Sequence, residues 1–252
     1  MKTKRLVKIE EYIHTKGSAT LDELCDYFGV SKNTIRRDIN IILQDGSIEK
    51  VYGGVKSVVN YGLTPFEHRN IVHATAKERI AQLAAAQIKP GDFIFIDSGT
   101  TTRSIIDYLP NDINITVLTN NLDIMNACAL HPNIALLSLG SHYKRETRSF
   151  VGLHMEAKLS QYNISKAFMA ATAVSIHSGV TNSDLMEHEI KKNLVQIADE
   201  IFLLVDDSKF EKATLLTYMP LADVSTIVTN NPIDNTYRDF FEEQQIKLLI
   251  AE

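Results

Sequence analysis

A polar run in the middle of the chain has the composition of an anion-binding loop. Residues 97–102, Asp-Ser-Gly-Thr-Thr-Thr, directly follow the apolar run Phe93–Ile96. Glycine lets a backbone approach a ligand, hydroxyl groups donate hydrogen bonds, and the amino terminus of a following helix attracts negative charge. Because the glycine-rich patterns that bind longer phosphate chains are absent, the run predicts a site for a single phosphate group. The alternative is that its hydroxyls only cap a helix. The candidate contacts are Asp97, Ser98, Gly99, Thr100, Thr101 and Thr102.

A second run, near the amino terminus, has the chemistry of a nucleic-acid contact. Residues 31–37 include three cations and no acid. Arginine forms a bidentate contact with guanine or clamps a phosphate, and asparagine pairs with adenine. Hydroxyl groups and the amino terminus of a helix suit phosphate oxygens. Asp38, which follows the run, is expected to form a local salt bridge that orients an arginine. The candidate contacts are Ser31, Lys32, Asn33, Thr34, Arg36 and Arg37.

Two helices joined by a tight glycine turn are predicted around this second run. Thr20 and Glu23 have the spacing of a capping box, so a helix is expected to begin there, after a first helix over residues 5–15. Ser31 is expected to cap a third helix that runs to about residue 44. A helix pair whose second member is basic at its start is typical of a helix-turn-helix.

Two short β-prone runs follow the helices. Residues 47–52 and 55–58 flank Gly53-Gly54, which predicts a hairpin wing, and Lys50 and Tyr52 on it are candidate contacts to backbone phosphates. Capped helix, glycine turn, basic helix and hairpin, in that order, predict a winged helix-turn-helix that binds double-stranded DNA. The alternative is a three-helix protein-interaction domain with a solvated basic face.

Charge is distributed unevenly along the chain. The formal net charge is −5, which by itself argues against a nucleic-acid partner. Residues 1–60 nevertheless sum to +2, and the remaining residues sum to −7. An acidic body repels DNA everywhere except at a basic face. A DNA contact is therefore expected through the amino-terminal segment alone.

The rest of the chain alternates apolar strands with helices, as βαβ units do. Strands are predicted at residues 93–96, 115–118, 134–139, 167–171, 202–205 and 226–228, and helices at 77–88, 184–198 and up to about residues 109 and 130. This alternation predicts an α/β domain with a doubly wound parallel sheet and a ligand at the carboxyl ends of its strands. Residues 59–75 show no clear period, so the chain divides into a winged helix-turn-helix at 1–58, a linker at 59–75 and an effector-binding domain at 76–252.

Composition disfavours several other classes of protein. No apolar run is long enough to cross a membrane, and the first residues lack the apolar stretch of a signal peptide, so a cytoplasmic protein is expected. Cys25 and Cys128 are too few for a disulfide framework and are expected to pack as small hydrophobes. The histidines lack the spacing of helical metal ligands. Neither a metal nor a cofactor is expected.

The chain resembles the DeoR family of bacterial transcriptional repressors. The likeness lies in residues 21–25, 30–38, 51–55, 97–102, 119–122, 166–168, 179–184 and 207–210, and in Glu187 with Lys191. It implies a sensor domain similar in fold to ribose-5-phosphate isomerase, assembly into homodimers or homotetramers, and release from operator DNA by a phosphorylated sugar. It adds to the candidate effector contacts Asn120, Asn121, Arg148, Lys191 and Lys209.

Within this family the sequence is most similar to repressors of myo-inositol catabolism. The likeness covers residues 30–34, 48–55, 143–145, 147–152 and 215–218. It implies a phosphorylated keto-sugar-acid intermediate of inositol breakdown as the effector, and the basic loop at 141–150 suits a ligand that carries both phosphate and carboxylate. Ser141 and residues 171–173 depart from the family pattern, which has glycines there.

The sequence leaves two alternatives to a DNA-binding repressor of a sugar or polyol catabolic operon. A sugar-phosphate isomerase with an appended DNA-binding module needs a carboxylate base and a partner acid beside the sugar carbonyl. Isomerases of this fold carry an acidic segment where residues 170–174 hold no ionisable group, so no enzyme is expected, although Asp97, Asp184 and Glu187 are carboxylates available as bases. The other alternative is a sugar-phosphate sensor that acts on a protein partner.

Overall fold

Helices and short strands arrange the chain into two units, Met1–Val72 and His73–Glu252. The computed structural model describes residues 2–43, 48–57, 66–152, 159–231 and 233–251. The expected end of the third helix at residue 44, the start of the wing at 47, its end at 58 and the linker residues 59–65 lie outside the described residues. The two units are therefore described separately.

Helices and a small antiparallel sheet form the first unit. Its elements are α1 (Lys2–Lys16), β1 (Ser18–Thr20), α2 (Leu21–Phe28), α3 (Lys32–Ile42), β2 (Ile48–Val51), β3 (Gly54–Ser57) and α4 (Phe66–Ile71). Thr20 and Glu23 each accept the other's backbone N–H, which confirms the capping box, and Gly29 ends α2 in the left-handed conformation with φ 63°. Glycine adopts that conformation without the steric cost that a Cβ brings. The helix pair, the turn and the β2–β3 hairpin have the predicted winged helix-turn-helix order.

The wing contains a strand that the sequence pattern did not predict. β1 pairs antiparallel with β3, so that Ala19 lies opposite Val55 and Thr20 opposite Gly54. A Cβ at Gly54 would lie 2.3 Å from the carbonyl oxygen of Ala19. Gly53, with φ 83°, supplies the turn, whereas Gly54 is needed for the close approach of β1. Glycine is therefore required at position 53 for its backbone conformation and at position 54 for its lack of a side chain.

Asp38 on α3 is buried and pairs with an arginine from another helix. Its side-chain exposure is 1%, and its Oδ2 accepts a hydrogen bond of 2.7 Å from Arg5 Nε on α1. The hydrogen bond to this carboxylate raises the pKa of Arg5. The expected local pair beside the DNA-facing run is thus wrong, since the two partners are 33 residues apart. The pair fastens α1 to α3, beneath the basic face rather than on it.

The second unit alternates strands and helices in the expected way. It contains α5 (Ala74–Ala85), β4 (Phe93–Ile96), a 3-10 helix (Thr102–Tyr108), β5 (Ile115–Thr119), α6 (Leu122–Cys128), β6 (Ile134–Ser138), β7 (His142–Lys144), β8 (Ser149–Val151), β9 (Ile164–Ala170), β10 (Ala173–Ser175), β11 (Gly179–Asn182), α7 (Leu185–Ile197), β12 (Ala198–Leu204), β13 (Leu216–Met219), β14 (Thr226–Thr229), α8 (Asn235–Glu243) and β15 (Lys247–Ile250). The main sheet runs in the order β15-β14-β12-β9-β4-β5-β6, and all its pairings are parallel.

Both faces of this sheet are covered, which makes it doubly wound. Alternate residues of β4 point into different cores, because successive side chains of a strand face opposite sides. Phe95 packs with Ile190 of α7 and Tyr237 of α8. Ile94 and Ile96 pack on the other face with α5, α6 and the 3-10 helix. Such two-sided burial explains why the strands read as continuous apolar runs.

Several elements differ from the expectation. The segment after residue 101 is a 3-10 helix instead of an α-helix, and α5 begins at Ala74, three residues before the predicted start. The hairpin β7–β8, the antiparallel sheet β10-β11-β13, α8 and β15 were not predicted. Strands of three or four residues hold too few alternations to produce a period-two signal. Within the described residues, no helix is long and apolar enough to cross a membrane.

The two cysteines lie in hydrophobic surroundings, as expected. Cys25 packs partly buried against the core of the first unit, and Cys128 is buried in the core beneath β4 and β5. Burial raises the pKa of the Cys128 thiol to about 12, because a thiolate is poorly solvated there. Cys128 is therefore an unreactive thiol that contributes packing.

Replacing Arg5 by Met is expected to loosen α3, because it leaves the buried Asp38 carboxylate without its cation. Hydrogen exchange of the α3 amides in the full chain, measured by mass spectrometry, should accelerate at least about tenfold. The matched control is Lys16→Met, which removes an exposed ion pair with Glu23 and should change that exchange little. Equal effects of the two substitutions would contradict a structural role for the Arg5–Asp38 pair.

Candidate nucleic-acid interface and anion site

The exposed face of α3 carries the predicted DNA contacts. Ser31 caps the helix by accepting the N–H of Thr34, and its hydroxyl lies 3.0 Å from the Thr34 hydroxyl. Ile35 and Ile39 are buried beneath, which orients the opposite face outwards. Lys32 also forms an ion pair with Asp22 of α2. The exposed or half-buried members of this face are Ser31, Lys32, Asn33, Thr34, Arg36, Arg37 and Asn40.

A cleft of about 390 Å³ separates α3 from the β2–β3 hairpin. Its lining includes Arg36 and Asn40 from the helix and Lys50 from the hairpin. Tyr52 at the hairpin turn is fully exposed. Lys56 forms an ion pair with Glu49, its cross-strand neighbour in the hairpin. Two cations and an amide thus line this one groove from both sides, which is a donor set that suits a nucleic-acid backbone and base edges.

In the second unit, the strand order places residues 97–102 at a topological switch point. From β4 the chain continues outwards through β5 to β6, and it then returns to β9 on the other side of β4. The connections after β4 and β9 therefore leave the sheet in opposite directions, which is the arrangement at which open α/β sheets commonly bind ligands. Residues 97–102 follow β4, and Ala171 follows β9. The strand order therefore puts the loop that the composition had indicated at the switch point of the sheet.

A buried ion pair holds this loop against β9. The Asp97 carboxylate pairs with Lys191 of α7 and also accepts the N–H of Ala170 at 2.9 Å. Lys191 Nζ donates to the Ala170 carbonyl at 3.1 Å and lies 5.4 Å from the ring centroid of Tyr218. Burial, together with the charge of Asp97, raises the pKa of Tyr218 well above its usual value. Asp97 and Lys191, both predicted effector contacts, thus form the structural base of the loop.

Gly99 and Thr102 shape the loop from within. A Cβ at Gly99 would lie 2.2 Å from the Cβ of Ala170, so a neighbouring strand fills the space that was expected to admit a ligand. The Thr102 hydroxyl donates to the carbonyl of Asp97 at 2.6 Å, and it accepts the Gly99 N–H at 3.1 Å. Glycine is therefore required by packing against β9. Thr102 closes the loop on itself.

Thr100 and Thr101 have hydroxyls that the loop does not use. Both residues are 6% exposed, and neither side chain forms a hydrogen bond within the described part of the chain. Ser98, by contrast, donates to Glu187 of α7. The hydroxyl oxygens of Thr100 and Thr101 are not among the fully buried side-chain atoms that lack a partner in the described residues, so these oxygens are accessible from outside the protein. Among the six residues of the predicted anion loop, Thr100 and Thr101 retain donors for a ligand.

The second predicted loop, Asn120-Asn121, is bound to the hairpin β7–β8. Asn121 caps α6 by accepting two backbone N–H groups, and its Nδ2 donates to the Arg148 carbonyl. Asn120 Nδ2 donates to the Phe150 carbonyl, whereas Asn120 Oδ1 is buried without a hydrogen-bond partner among the described residues. The Arg148 guanidinium forms a bidentate pair with Asp123, with both distances 2.6 Å. The Asn120 Oδ1 therefore remains available as an acceptor, whereas the Arg148 guanidinium is paired with a carboxylate of α6.

Lys209 lies further along the edge of the sheet. It ends a short 3-10 turn after β12, and β12 is two strands away from β4. Asp184 and Glu187 were considered from the sequence as bases, but their contacts with the predicted site were not expected. The side chains that connect the predicted contacts are Thr147, Ser149, Asp184 with its partner Lys144, and Glu187 as an acceptor of hydroxyl groups. They come from three elements and carry no shared spacing, so no local pattern marks them.

Comparison with known proteins places both units in one family. The DeoR-like helix-turn-helix domain matches residues 5–60, and the DeoR C terminal sensor domain matches residues 72–231. The chain belongs to the DeoR family. The HTH-type transcriptional regulator IolR of Bacillus subtilis (strain 168) is 51% identical over 251 residues, which cover 100% of both chains. The HTH-type transcriptional repressor GlcR of the same strain is 26% identical and covers 98% of this chain and 96% of its own.

The DeoR-family relatives support the predicted DNA-binding transcriptional regulator over the isomerase alternative, because they are named as regulators of transcription over their full length. Part of the chain also aligns with ribose 5-phosphate isomerase A from Methanocaldococcus jannaschii, at 20% identity and a TM-score of 0.40, over 53% of each chain. At that score the alignment carries no argument.

Replacing Gly99 by Ala is expected to destabilise the sensor domain of this DeoR-family regulator, because the added methyl group overlaps the Ala170 Cβ. The free energy of unfolding in urea should fall by about 1–3 kcal/mol. The double variant Gly99→Ala with Ala170→Gly moves the methyl group across the contact. It should recover a large part of the loss, and a strictly additive double variant would refute the packing explanation.

Proposed function

We propose that this regulator represses a carbohydrate or polyol catabolic operon in the cytoplasm, and that a phosphorylated sugar or sugar acid releases it from its operator. The proposal rests on two features of one chain. The helix α3 is basic and exposed, and the hydroxyls of Thr100 and Thr101 lie at the switch point of the sheet without a hydrogen bond to the described residues. The first supplies DNA contacts and the second supplies donors to a phosphate.

The DNA contact would be made by α3 in the major groove. Arg36 and Arg37 are exposed at its first turns, next to Ser31, whose hydroxyl caps the helix. Lys50 and Tyr52 on the hairpin would contact the backbone beside it. Helix-turn-helix proteins read two half-sites as symmetric dimers, so we infer a homodimer or homotetramer. Operator affinity would then depend on the spacing of the two helices in the assembly.

The effector phosphate would lie at the switch point between β4 and β9. Thr100 and Thr101 offer hydroxyl donors there, and Lys191 supplies positive charge from beneath the loop even though it is paired with Asp97. Asn120 Oδ1, the buried acceptor at the end of β5, suits a sugar hydroxyl. Hydroxyls and a partly neutralised lysine favour one phosphate group over a longer phosphate chain.

The second charged group of the effector is inferred from the hairpin β7–β8. Lys144, Arg145 and Arg148 lie on it within five residues, and Arg145 is exposed. Because Lys144 pairs with Asp184 and Arg148 with Asp123, Arg145 is the cation of the three that would be available to a carboxylate in addition to the phosphate. Together with the sequence likeness to repressors of myo-inositol catabolism, this favours a phosphorylated keto-sugar acid. The ligand would therefore be an intermediate of the pathway that the operon encodes.

We infer that the protein does not isomerise its ligand. An isomerase base must be free to take a proton from carbon. Asp97 is held by Lys191 and Ala170, and Asp184 pairs with Lys144 while it caps α7. Glu187 accepts two hydroxyl protons on one oxygen. All three carboxylates are thus committed to the structure.

Arg36→Ala is expected to weaken operator binding about tenfold to hundredfold, since one exposed guanidinium contributes about 1–3 kcal/mol to base or phosphate recognition. The probe is the promoter region of the chain's own operon in a gel-shift assay at fixed salt. Lys89→Ala, which removes an exposed cation of the second unit, is the control and should bind as the unmodified chain does. If both variants bind equally, α3 is not the recognition helix.

Thr101→Ala is expected to lower the affinity for a phosphorylated effector about tenfold or more, because a hydrogen bond to a charged group is lost. Thr101→Ser restores a hydroxyl and should retain most of the binding. The measurement is isothermal titration with a phosphorylated keto-sugar acid, its unphosphorylated form and glucose 6-phosphate. Comparison of the variants gives the loss of affinity, and comparison of the three ligands gives the preferred class of effector.

In the same experiment, Thr101→Ala should still bind operator DNA but require more effector for release. A ligand that binds equally well without its phosphate would exclude the phosphate site. Equal binding of all the phosphorylated ligands would exclude the proposed keto-sugar acid as the preferred effector.

A further inference from the structure

Glu187 joins the predicted effector loop to the hairpin β7–β8. It lies in the first turn of α7 and is largely buried. Its Oε1 accepts the hydroxyl proton of Ser98 at 2.6 Å and that of Ser149 at 2.8 Å. Ser98 belongs to the loop after β4, and Ser149 begins β8. One carboxylate oxygen therefore holds together two segments that are about fifty residues apart.

The directions of the protons in this cluster follow from the chemistry of hydroxyl groups. A serine hydroxyl has a single proton, and a carboxylate accepts only. Ser149 gives its proton to Glu187, so the contact of 2.7 Å between Thr147 and Ser149 must be donated by Thr147. Ser98 likewise has no second proton to offer. It can serve Glu187 or a ligand phosphate, but it cannot donate to both.

The hairpin that Glu187 holds is also bound to the second predicted loop. Phe150 N–H donates to the Asn120 carbonyl at 2.6 Å, and Leu122 N–H donates to the Arg148 carbonyl at 2.9 Å. Asn121 and Ser149 form an isolated β-bridge. A continuous series of hydrogen bonds therefore runs from Ser98 through Glu187 and β8 to the end of β5.

We propose that Glu187 is a positioning residue whose carboxylate competes with the effector phosphate for the proton of Ser98. The proposal rests on the phosphate site of the proposed function. When a phosphate takes that proton, Glu187 loses the hydrogen bond from Ser98 and keeps that from Ser149, and two like charges lie on either side of one serine. The hairpin then moves relative to the loop after β4. Effector binding is in this way linked to a change of conformation, since the ligand favours the state in which the Ser98–Glu187 contact is broken.

The test compares Glu187→Gln with Ser98→Ala in the full-length protein. Gln keeps an acceptor oxygen for both hydroxyls but removes the charge, so affinity for inorganic phosphate and for 6-phosphogluconate should rise at least about tenfold. Ser98→Ala removes the contested donor, so the same affinities should fall. Glu189→Gln changes an exposed carboxylate of the same helix and should alter neither.

Opposite signs of the two affinity changes support the competition. If Glu187 only supported the fold, both substitutions would weaken the same contact and shift affinity in the same direction, which would overturn the proposal; so would an unchanged affinity in Glu187→Gln. Thermal melting of each variant without ligand reports folding separately. Failure of the unmodified chain to bind either probe would refute the phosphate site itself, whereas binding that Thr101→Ala reduces but Glu187→Gln leaves unchanged refutes only the role of Glu187.

Discussion

The ion pair between Asp97 and Lys191 fixes the geometry of the sensor domain at the point where its sheet changes direction. Both side chains are buried, and a buried charge is tolerated only when it is paired and hydrogen-bonded. Asp97 also accepts the N–H of Ala170, and Lys191 also donates to the carbonyl of the same residue. β4, β9 and α7 are thus tied at one residue. Loss of either charge here would leave the other buried without its partner.

The Asp97–Lys191 pair determines which groups of residues 97–102 remain available to a ligand. Because Ala170 is held in place, the backbone after β4 must pass it closely, and only glycine fits at position 99. The loop is then closed by Thr102 and tethered to α7 by Ser98. The hydroxyls at positions 100 and 101 are what the packing leaves unused. The residue types at positions 97–102 are therefore explained by packing of the loop as well as by the proposed binding of a ligand.

How much of this could be predicted depends on the distance between partners along the chain. The capping box of α2 and the bounds of β4 were predicted to the residue, because both depend on neighbours within a few positions. The pairs Arg5–Asp38, Asp123–Arg148 and Ser98–Glu187 are separated by 33, 25 and 89 residues. No periodicity connects such partners. Candidate contact residues could be identified from the sequence, but only the structure shows which of their side chains are already hydrogen-bonded or ion-paired within the protein.

The same distinction bears on how an effector can act on DNA binding. The helix-turn-helix has its own hydrophobic core and its own ion pair, Arg5–Asp38, within the first unit. A ligand in the sensor domain changes operator affinity only through a difference in its own affinity for two arrangements of the assembly. A contact can differ between two states when a ligand offers one of its partners an alternative. Under the proposed competition the Ser98–Glu187 hydrogen bond meets that condition, because the single hydroxyl proton of Ser98 can pass from Glu187 to a phosphate, whereas the buried Asp97–Lys191 pair has no such alternative.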